Sequence, residues 1–244
     1  MRRIVFWPAA VLTVIVVAEH RLSDSRPGGA PEPALWDEAR HGAGPAPATE
    51  RLVCKLALSI DRRSAYRLTS REDGVEFDID SDGDVDRVSW TEPGSDVAFL
   101  AADRNHDGRI TSGRELIGEF TMTGARTAPS ALAALAHEQG GEVAGTIDPR
   151  HPFFFDVLLW TDANHNGLSE PKELRPAHEV LSAIGLGFGF HHRVDQHGNQ
   201  SRHRGFVYVK GTPAPELARF DDNGLRRPMY DLCLRTRATA RYTR

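Results

Sequence analysis

The alternation of apolar and polar residues predicts short β-strands on both sides of a less regular middle. Residues 51–59 alternate with a period of two, and Leu52, Cys54, Leu56 and Leu58 share one face. Further strands are predicted on both sides of an aspartate cluster, at 74–79 and 87–90, and then at 182–190, 205–210 and 228–236. His197-Gly198-Asn199 supplies a turn between the first two of the last three strands.

The middle of the chain predicts helices. Good helix formers occupy 112–120 and 129–139, and proline stands in the first turn of the second segment. The apolar run at 152–160 is ambiguous by periodicity, and a helix is favoured because a loop typical of helix pairs follows it. Residues 173–184 predict another helix. The order of strands, helices with loops, and strands predicts an α+β fold with β-strands at both ends of a helical middle.

The first 50 residues differ in composition from the rest. Arg2 and Arg3 precede an apolar run at 4–18, which is shorter than the roughly 20 residues that span a bilayer. Residues 1–18 therefore predict a cleaved export signal, with an uncleaved membrane anchor as the alternative. Residues 19–50 are rich in Pro, Gly and Ala and predict a linker. Residues 51–238 are predicted to form one α+β domain.

The distribution of acidic residues suggests that the protein binds cations. The chain of 244 residues has a formal net charge of −4, which gives no support for a nucleic-acid partner. Five carboxylates nevertheless fall within nine positions, and so many like charges repel one another unless a cation lies among them. These five are Asp78, Asp80, Asp82, Asp84 and Asp86.

Three segments predict calcium sites, because oxygen donors recur at alternate positions and a glycine stands sixth, where the chain must turn. In loop A (residues 78–86) Asp84 would ligate through its carbonyl and Asp86 would close the shell. Loop B (residues 103–115) has Arg114 where the twelfth ligand belongs, so a bend at Gly113 must bring in Glu115. Its other candidate ligands are Asp103, Asn105, Asp107 and the carbonyl of Arg109.

Loop C (residues 162–173) has the regular twelve-residue spacing. Glu173 stands twelfth as a candidate bidentate ligand, and Ser169 occupies the eighth position, where an aliphatic residue is usual. The other candidate ligands are Asp162, Asn164, Asn166 and the carbonyl of Leu168. Each loop also has a simpler interpretation without metal: an acidic β-turn that solubilises a hairpin for loop A, a turn that caps the predicted helix at 112–120 for loop B, and a helix-to-helix turn for loop C.

Residues 77–120 together with 158–174 resemble a family of exported bacterial EF-hand-type domains, and similar segments occur in repeat-in-toxin-like secreted proteins. Loop A also resembles the DxDxDGxxD loops of FG-GAP repeats. These resemblances imply calcium binding through two to three EF-hand-like loops and a periplasmic, secreted or cell-surface location. They imply no reaction.

No catalytic motif such as GxSxG or HExxH is present, so no catalytic residue is assigned. The expected function is structural or interactive, with calcium as the cofactor and an extracellular protein or polysaccharide as a candidate partner. A dockerin-like or accessory module of an extracellular hydrolase is one alternative. A membrane-anchored adhesion protein is another, if the N-terminal segment is retained.

Cys54 and Cys233 are the only cysteines, and their pairing stays open. Export favours a disulfide, because oxidising compartments preserve such bonds. The strand pattern opposes it, since Cys233 alternates with Leu232 and Leu234 and is therefore expected to point away from the apolar face that Cys54 shares.

Overall fold

A curled, nine-stranded antiparallel sheet is the frame of the domain in the computed structural model, which describes residues 50–60, 66–143, 145–210 and 226–237. Neighbouring strands run in the order β5-β8-β10-β11-β1-β4-β6-β7, and β9 adds to β10. A separate hairpin joins β2 and β3. The strands are β1 Glu50–Ser59, β2 Val75–Phe77, β3 Asp86–Val88, β4 Val97–Ala101, β5 Thr146–Ile147, β6 Leu158–Trp160, β7 Leu174–Pro176, β8 Leu181–Gly185, β9 Gly189–Val194, β10 Gln200–Val209 and β11 Arg226–Arg237.

Helices contribute little to the part of the chain that the structure describes. Helix α1 (Ala128–Gly140) begins at Thr127, whose side chain accepts a hydrogen bond from the amide of Ser130. A single 3-10 turn spans Pro152–Phe155, and α2 (Ala177–Val180) has only four residues. None of these helices is long and apolar enough to cross a bilayer.

β1 and β11 form the longest antiparallel pair at the centre of the sheet, and both faces of this pair are covered. Leu56 and Leu58 face an aliphatic core that includes buried residues of α1. Val53 and Ala57 face the opposite way, toward an aromatic core. In that core, the rings of Trp90 and Phe99 lie 4.6 Å apart between centroids, and Phe77 and Trp160 complete the cluster.

A disulfide joins Cys54 and Cys233, which stand directly opposite each other in the β1–β11 register. Directly opposed residues of an antiparallel pair point to the same side of the sheet. The expectation that Cys233 points away from Cys54 was therefore wrong. Both faces of the β1–β11 pair are covered, so alternation within β11 does not show which of its residues share a face with Cys54. Leu232 and Leu234 do point away from the bond, into the aromatic core.

The predicted α+β class with a helical middle is wrong, because the fold is mostly β-sheet and has no helical middle domain. Residues 112–120 form no helix, since their backbone bonds to neighbouring strands instead: Ile117 accepts from the amide of Leu56 and donates to the carbonyl of Leu100, both at 2.9 Å. Residues 152–160 divide into a 3-10 turn and β6, and residues 173–184 divide into β7, α2 and β8. The predicted helix at 129–139 is present as α1.

Candidate metal-binding site

Loops A, B and C share one backbone conformation. In each loop, the aspartate at position one accepts a hydrogen bond from the amide of the glycine at position six, over 3.3, 2.8 and 2.9 Å respectively. The residue at position four adopts a left-handed conformation that side chains rarely take. The side chain at position five accepts from the amide at position seven. Each loop therefore curls its polar side chains around a common centre.

Loop A connects β2 to β3 and gathers three carboxylates. Oxygens of Asp78, Asp80 and Asp82 lie within 4.8 Å of one another. One oxygen of Asp78 and one of Asp80 are buried without a hydrogen-bond partner among the described residues. The second oxygen of Asp80 accepts from Nη1 of Arg51 at 3.1 Å. Such unsatisfied buried oxygens are costly unless they bind something else.

Burial and neighbouring charges disfavour the ionised forms of several carboxyl groups of loop A. Burial is the largest cause that raises the pKa of Asp78 and of Asp80, and their mutual repulsion adds to it for Asp78. Asp86 opens β3 beside the three clustered carboxylates. Burial, followed by the charges of Asp80, Asp82 and Asp78, raises the pKa of Asp86 to about 7. Asp84 is exposed.

In loop B, the carboxylate of Glu115, the thirteenth residue, lies near those of Asp103 and Asp107 at the start of the loop. Oxygens of Asp103, Asp107 and Glu115 lie within 4.8 Å of one another. Glu115 is only 3 % exposed; Oε2 accepts from the Thr111 amide at 2.8 Å, while Oε1 is buried without a partner among the described residues. Asn105 is occupied within the loop, since its side-chain amide donates to Asp107 at 3.0 Å.

Loop C is held by hydrogen bonds between its own polar groups. Both oxygens of Asp162 accept backbone amides, and Oε1 of Glu173 accepts from the amide of Ala163 at 3.1 Å. Asn164 and Asn166 both donate to one oxygen of Glu170, and the other oxygen of Glu170 is buried without a partner in the described chain. Burial, followed by the hydrogen bond with Glu170, raises the pKa of Glu173.

The three loops contact one another. The amide of Gly113 in loop B donates to the carbonyl of Asp78 in loop A at 2.7 Å. The hydroxyl of Ser169 in loop C accepts from the Ile110 amide at 2.7 Å and donates to the Ile110 carbonyl at 3.1 Å. Gly167 packs against β2, where an added Cβ would lie 2.7 Å from the carbonyl oxygen of Glu76. An aliphatic residue usually occupies this eighth position of the loop. Here the hydroxyl of Ser169 instead connects loop C to loop B by hydrogen bonds with Ile110.

Gly113 serves a purpose that the sequence did not reveal. A Cβ at this position would lie 1.9 Å from the carbonyl oxygen of Ile79, so glycine is required for the approach of loops A and B. The sequence also did not indicate that Arg51 and Lys55 belong to this site. The buried Lys55 amine donates to the carbonyl of Gly113 at 2.7 Å, and burial lowers its pKa to about 7. Arg51 and Lys55 lie on β1, far from the loops in sequence, and contact loops A and B only in the folded chain.

The arrangement is suited to cation binding. It brings together acidic side chains of loops A and B, together with buried carboxylate oxygens that lack partners within the described residues. Hard divalent ions such as Ca²⁺ take oxygen ligands of this kind. Arg109 and Leu168 lie at the seventh positions of loops B and C, where only their carbonyls could serve.

The fold and these loops define a mainly β, disulfide-bonded domain with three linked loops rich in aspartate and asparagine. The SPM domain model matches residues 56–219, and the chain therefore belongs to the SPM domain family. Iron-regulated protein FrpA of Neisseria meningitidis serogroup C is 27% identical to this chain over 165 residues, which are 65% of the chain and 14% of that protein. The chain thus spans a small part of this relative.

The family match and the fold correct the resemblance to exported EF-hand-type domains. The chain belongs to a different family, and its loops connect strands and irregular segments of a β-rich domain instead of pairs of helices. The resemblance rested on residues 77–120 and 158–174, and short sequence patterns of this kind can occur on unrelated folds.

The disulfide indicates a location outside the cytoplasm, because such bonds persist in oxidising compartments. The predicted export signal at 1–18 and all but the final residue of the predicted linker at 19–50 lie outside the described residues.

Proposed function

We propose that this chain is an exported, calcium-binding SPM domain protein in which two to three of the loops A, B and C hold Ca²⁺. The observation that carries the proposal is one curled loop conformation that occurs three times. In loops A and B it accompanies buried carboxylate oxygens that have no hydrogen-bond partner among the described residues. A chance acidic turn would not be expected to repeat the same amide contacts three times.

Calcium is favoured over magnesium by the character of the ligands. Ca²⁺ accepts six to eight oxygens in flexible geometry, whereas Mg²⁺ requires a tight octahedral shell and gives up its water reluctantly. Loops A and B offer three acidic side chains each, along with loop carbonyls. Loop C has fewer charges at its centre, so we expect the weakest affinity there.

The role of the bound metal is structural in this proposal. Because the loops contact one another through Gly113 and Ser169, ordering one loop orders its neighbours. The resulting surface would present a cleft of about 340 Å³ lined by residues of all three loops. An extracellular protein or polysaccharide is the partner class that we propose, and a periplasmic, secreted or cell-surface location is the corresponding setting.

Calorimetric titration of the chelator-treated full chain with Ca²⁺ and with Mg²⁺ tests the proposal. We expect two or three calcium binding events and weaker magnesium binding. Asp82→Ala should remove the event in loop A, and Glu173→Ala should remove the event in loop C. Asp84→Asn is the matched control, because Asp84 would contribute only its carbonyl. Unchanged stoichiometry in both alanine variants would refute the assignment.

A further inference from the structure

A further cluster of side chains that could ligate a metal lies on the face of β1 opposite Lys55, away from loops A and B. Asp231 precedes Cys233 by two residues on β11, so the two side chains share a face, and Cys54 stands directly opposite Cys233. Both sulfur atoms and a carboxylate oxygen of Asp231 lie within 4.8 Å of one another. All three residues are fully buried.

Asp231 is only partly satisfied by its surroundings. One oxygen contacts Nδ1 of His203 at 2.7 Å, and the other is buried with no hydrogen-bond partner in the described part of the chain. Burial raises the pKa of this carboxyl, while the hydrogen bond with His203 opposes the rise. A buried carboxylate oxygen without a hydrogen-bond partner is costly in the interior of a sheet.

We propose that reduction of the Cys54–Cys233 disulfide creates a zinc site formed by Cys54, Cys233 and Asp231. Two thiolates and one carboxylate suit Zn²⁺, which binds sulfur at about 2.3 Å and carboxylate oxygen at about 2.0–2.2 Å. Calcium would require more oxygens than the cluster offers.

His203 acts as the positioning residue of this site. Its Nδ1 holds one oxygen of Asp231, which leaves the unpartnered oxygen free to bind the metal. Hydrogen bonds of this kind orient carboxylate ligands and are a regular part of metal sites. His203 itself is partly exposed, so the residue that contacts Asp231 is reached by solvent. A water would be the fourth ligand, as in zinc sites with three protein ligands.

The conversion is a thiol–disulfide exchange followed by metal binding. A dithiol reductant attacks the protein disulfide, transfers two electrons and two protons, and leaves as its own disulfide, while Cys54 and Cys233 become thiols. Zinc binding then releases both thiol protons to solvent as two Zn–S bonds form. The oxidised chain keeps the disulfide and the reduced chain binds zinc, so the two states exclude each other.

Cobalt titration of the reduced full chain tests the site. The protein is reduced anaerobically with a water-soluble phosphine, which takes its oxygen from water as both sulfurs gain protons. Excess Ca²⁺ is then added to saturate loops A, B and C before the Co²⁺ titration. We expect thiolate-to-cobalt charge-transfer absorption and tetrahedral visible bands, both of which Zn²⁺ abolishes. Oxidised protein should give neither, and the absence of these bands in reduced protein would overturn the proposal.

Substitutions of Asp231 and His203 show whether zinc binds to the proposed site or only to two free thiols. His203→Ala should weaken zinc binding about 10–100-fold, the usual effect of losing a hydrogen bond to a ligand. Asp231→Asn should weaken it at least as much, and the exposed Asp156→Asn is the matched control. An unfolded chain would bind cobalt through its cysteines regardless of residue 231, so equal affinities of Asp231→Asn and wild type would overturn the proposal.

Discussion

Replacing Asp86 by asparagine should stabilise the calcium-free protein and weaken its binding of calcium. Asp86 is buried at the start of β3, and its pKa is raised to about 7 by burial and by the neighbouring carboxylates of loop A. Asparagine keeps the size of the side chain and removes its charge. The empty loop loses a repulsive contact, while the loaded loop loses a ligand.

The magnitude follows from linkage between proton binding and folding. The folded-state pKa lies above the ordinary value of 3.8, so between pH 4 and 7 the native state holds more protons than the unfolded state. Asp86 therefore lowers the free energy of unfolding as pH rises through this window. A rise from 3.8 to about 7 is equivalent to about 4 kcal/mol. Solvent screening on the open side of the loop reduces this to about 2 kcal/mol.

Urea unfolding in the presence of a chelator measures the effect. The stability gain of Asp86→Asn over wild type should be near zero at pH 4 and grow to about 2 kcal/mol at pH 8. Asp84→Asn, in the exposed part of the same loop, should stay within about 0.5 kcal/mol of wild type at both pH values. A destabilised Asp86→Asn variant at pH 8 without calcium would refute the reasoning.

Three further outcomes are expected. A hundredfold excess of calcium over its dissociation constant should stabilise the protein by about 2.7 kcal/mol, and superimposable melting curves with and without chelator would contradict this. Gly113→Ala should cost about 3 kcal/mol through the clash with Ile79, whereas Gly187→Ala, which has open space around it, should be nearly neutral in the same denaturant titration. Reduction of the Cys54–Cys233 bond, which spans 179 residues, should lower stability by about 5 kcal/mol on the chain-entropy model, and unchanged denaturation midpoints would exclude this contribution.

The sequence contained enough information to place several strands and the backbone of the loops. The alternation at 51–59 corresponds to β1, and the glycines at 83, 108 and 167 mark the left-handed positions on which all three loops turn. These features depend on nearby residues, so a local pattern can reveal them. The cation-binding role of the loops stays a prediction.

The helical middle could not be excluded from local patterns because short apolar runs fit either structure. Residues 158–160 become β6 only because β4 and β7 lie on either side to accept their hydrogen bonds. Residues 112–120 are likewise fixed by the carbonyl of Leu100 and the amide of Leu56, which are distant in sequence. The need for glycine at Gly113 and the burial of Lys55 also depend on distant segments.

The central position of the β1–β11 pair has a consequence for the order of folding. These strands lie 179 residues apart at their disulfide, yet every other strand of the large sheet is added outward from one of them. A chain emerging in the direction of synthesis therefore cannot complete the centre of its sheet until β11 is available. Such distant pairing makes folding slow. We therefore expect the pairing of β1 with β11 to be a late event in the folding of a newly made chain.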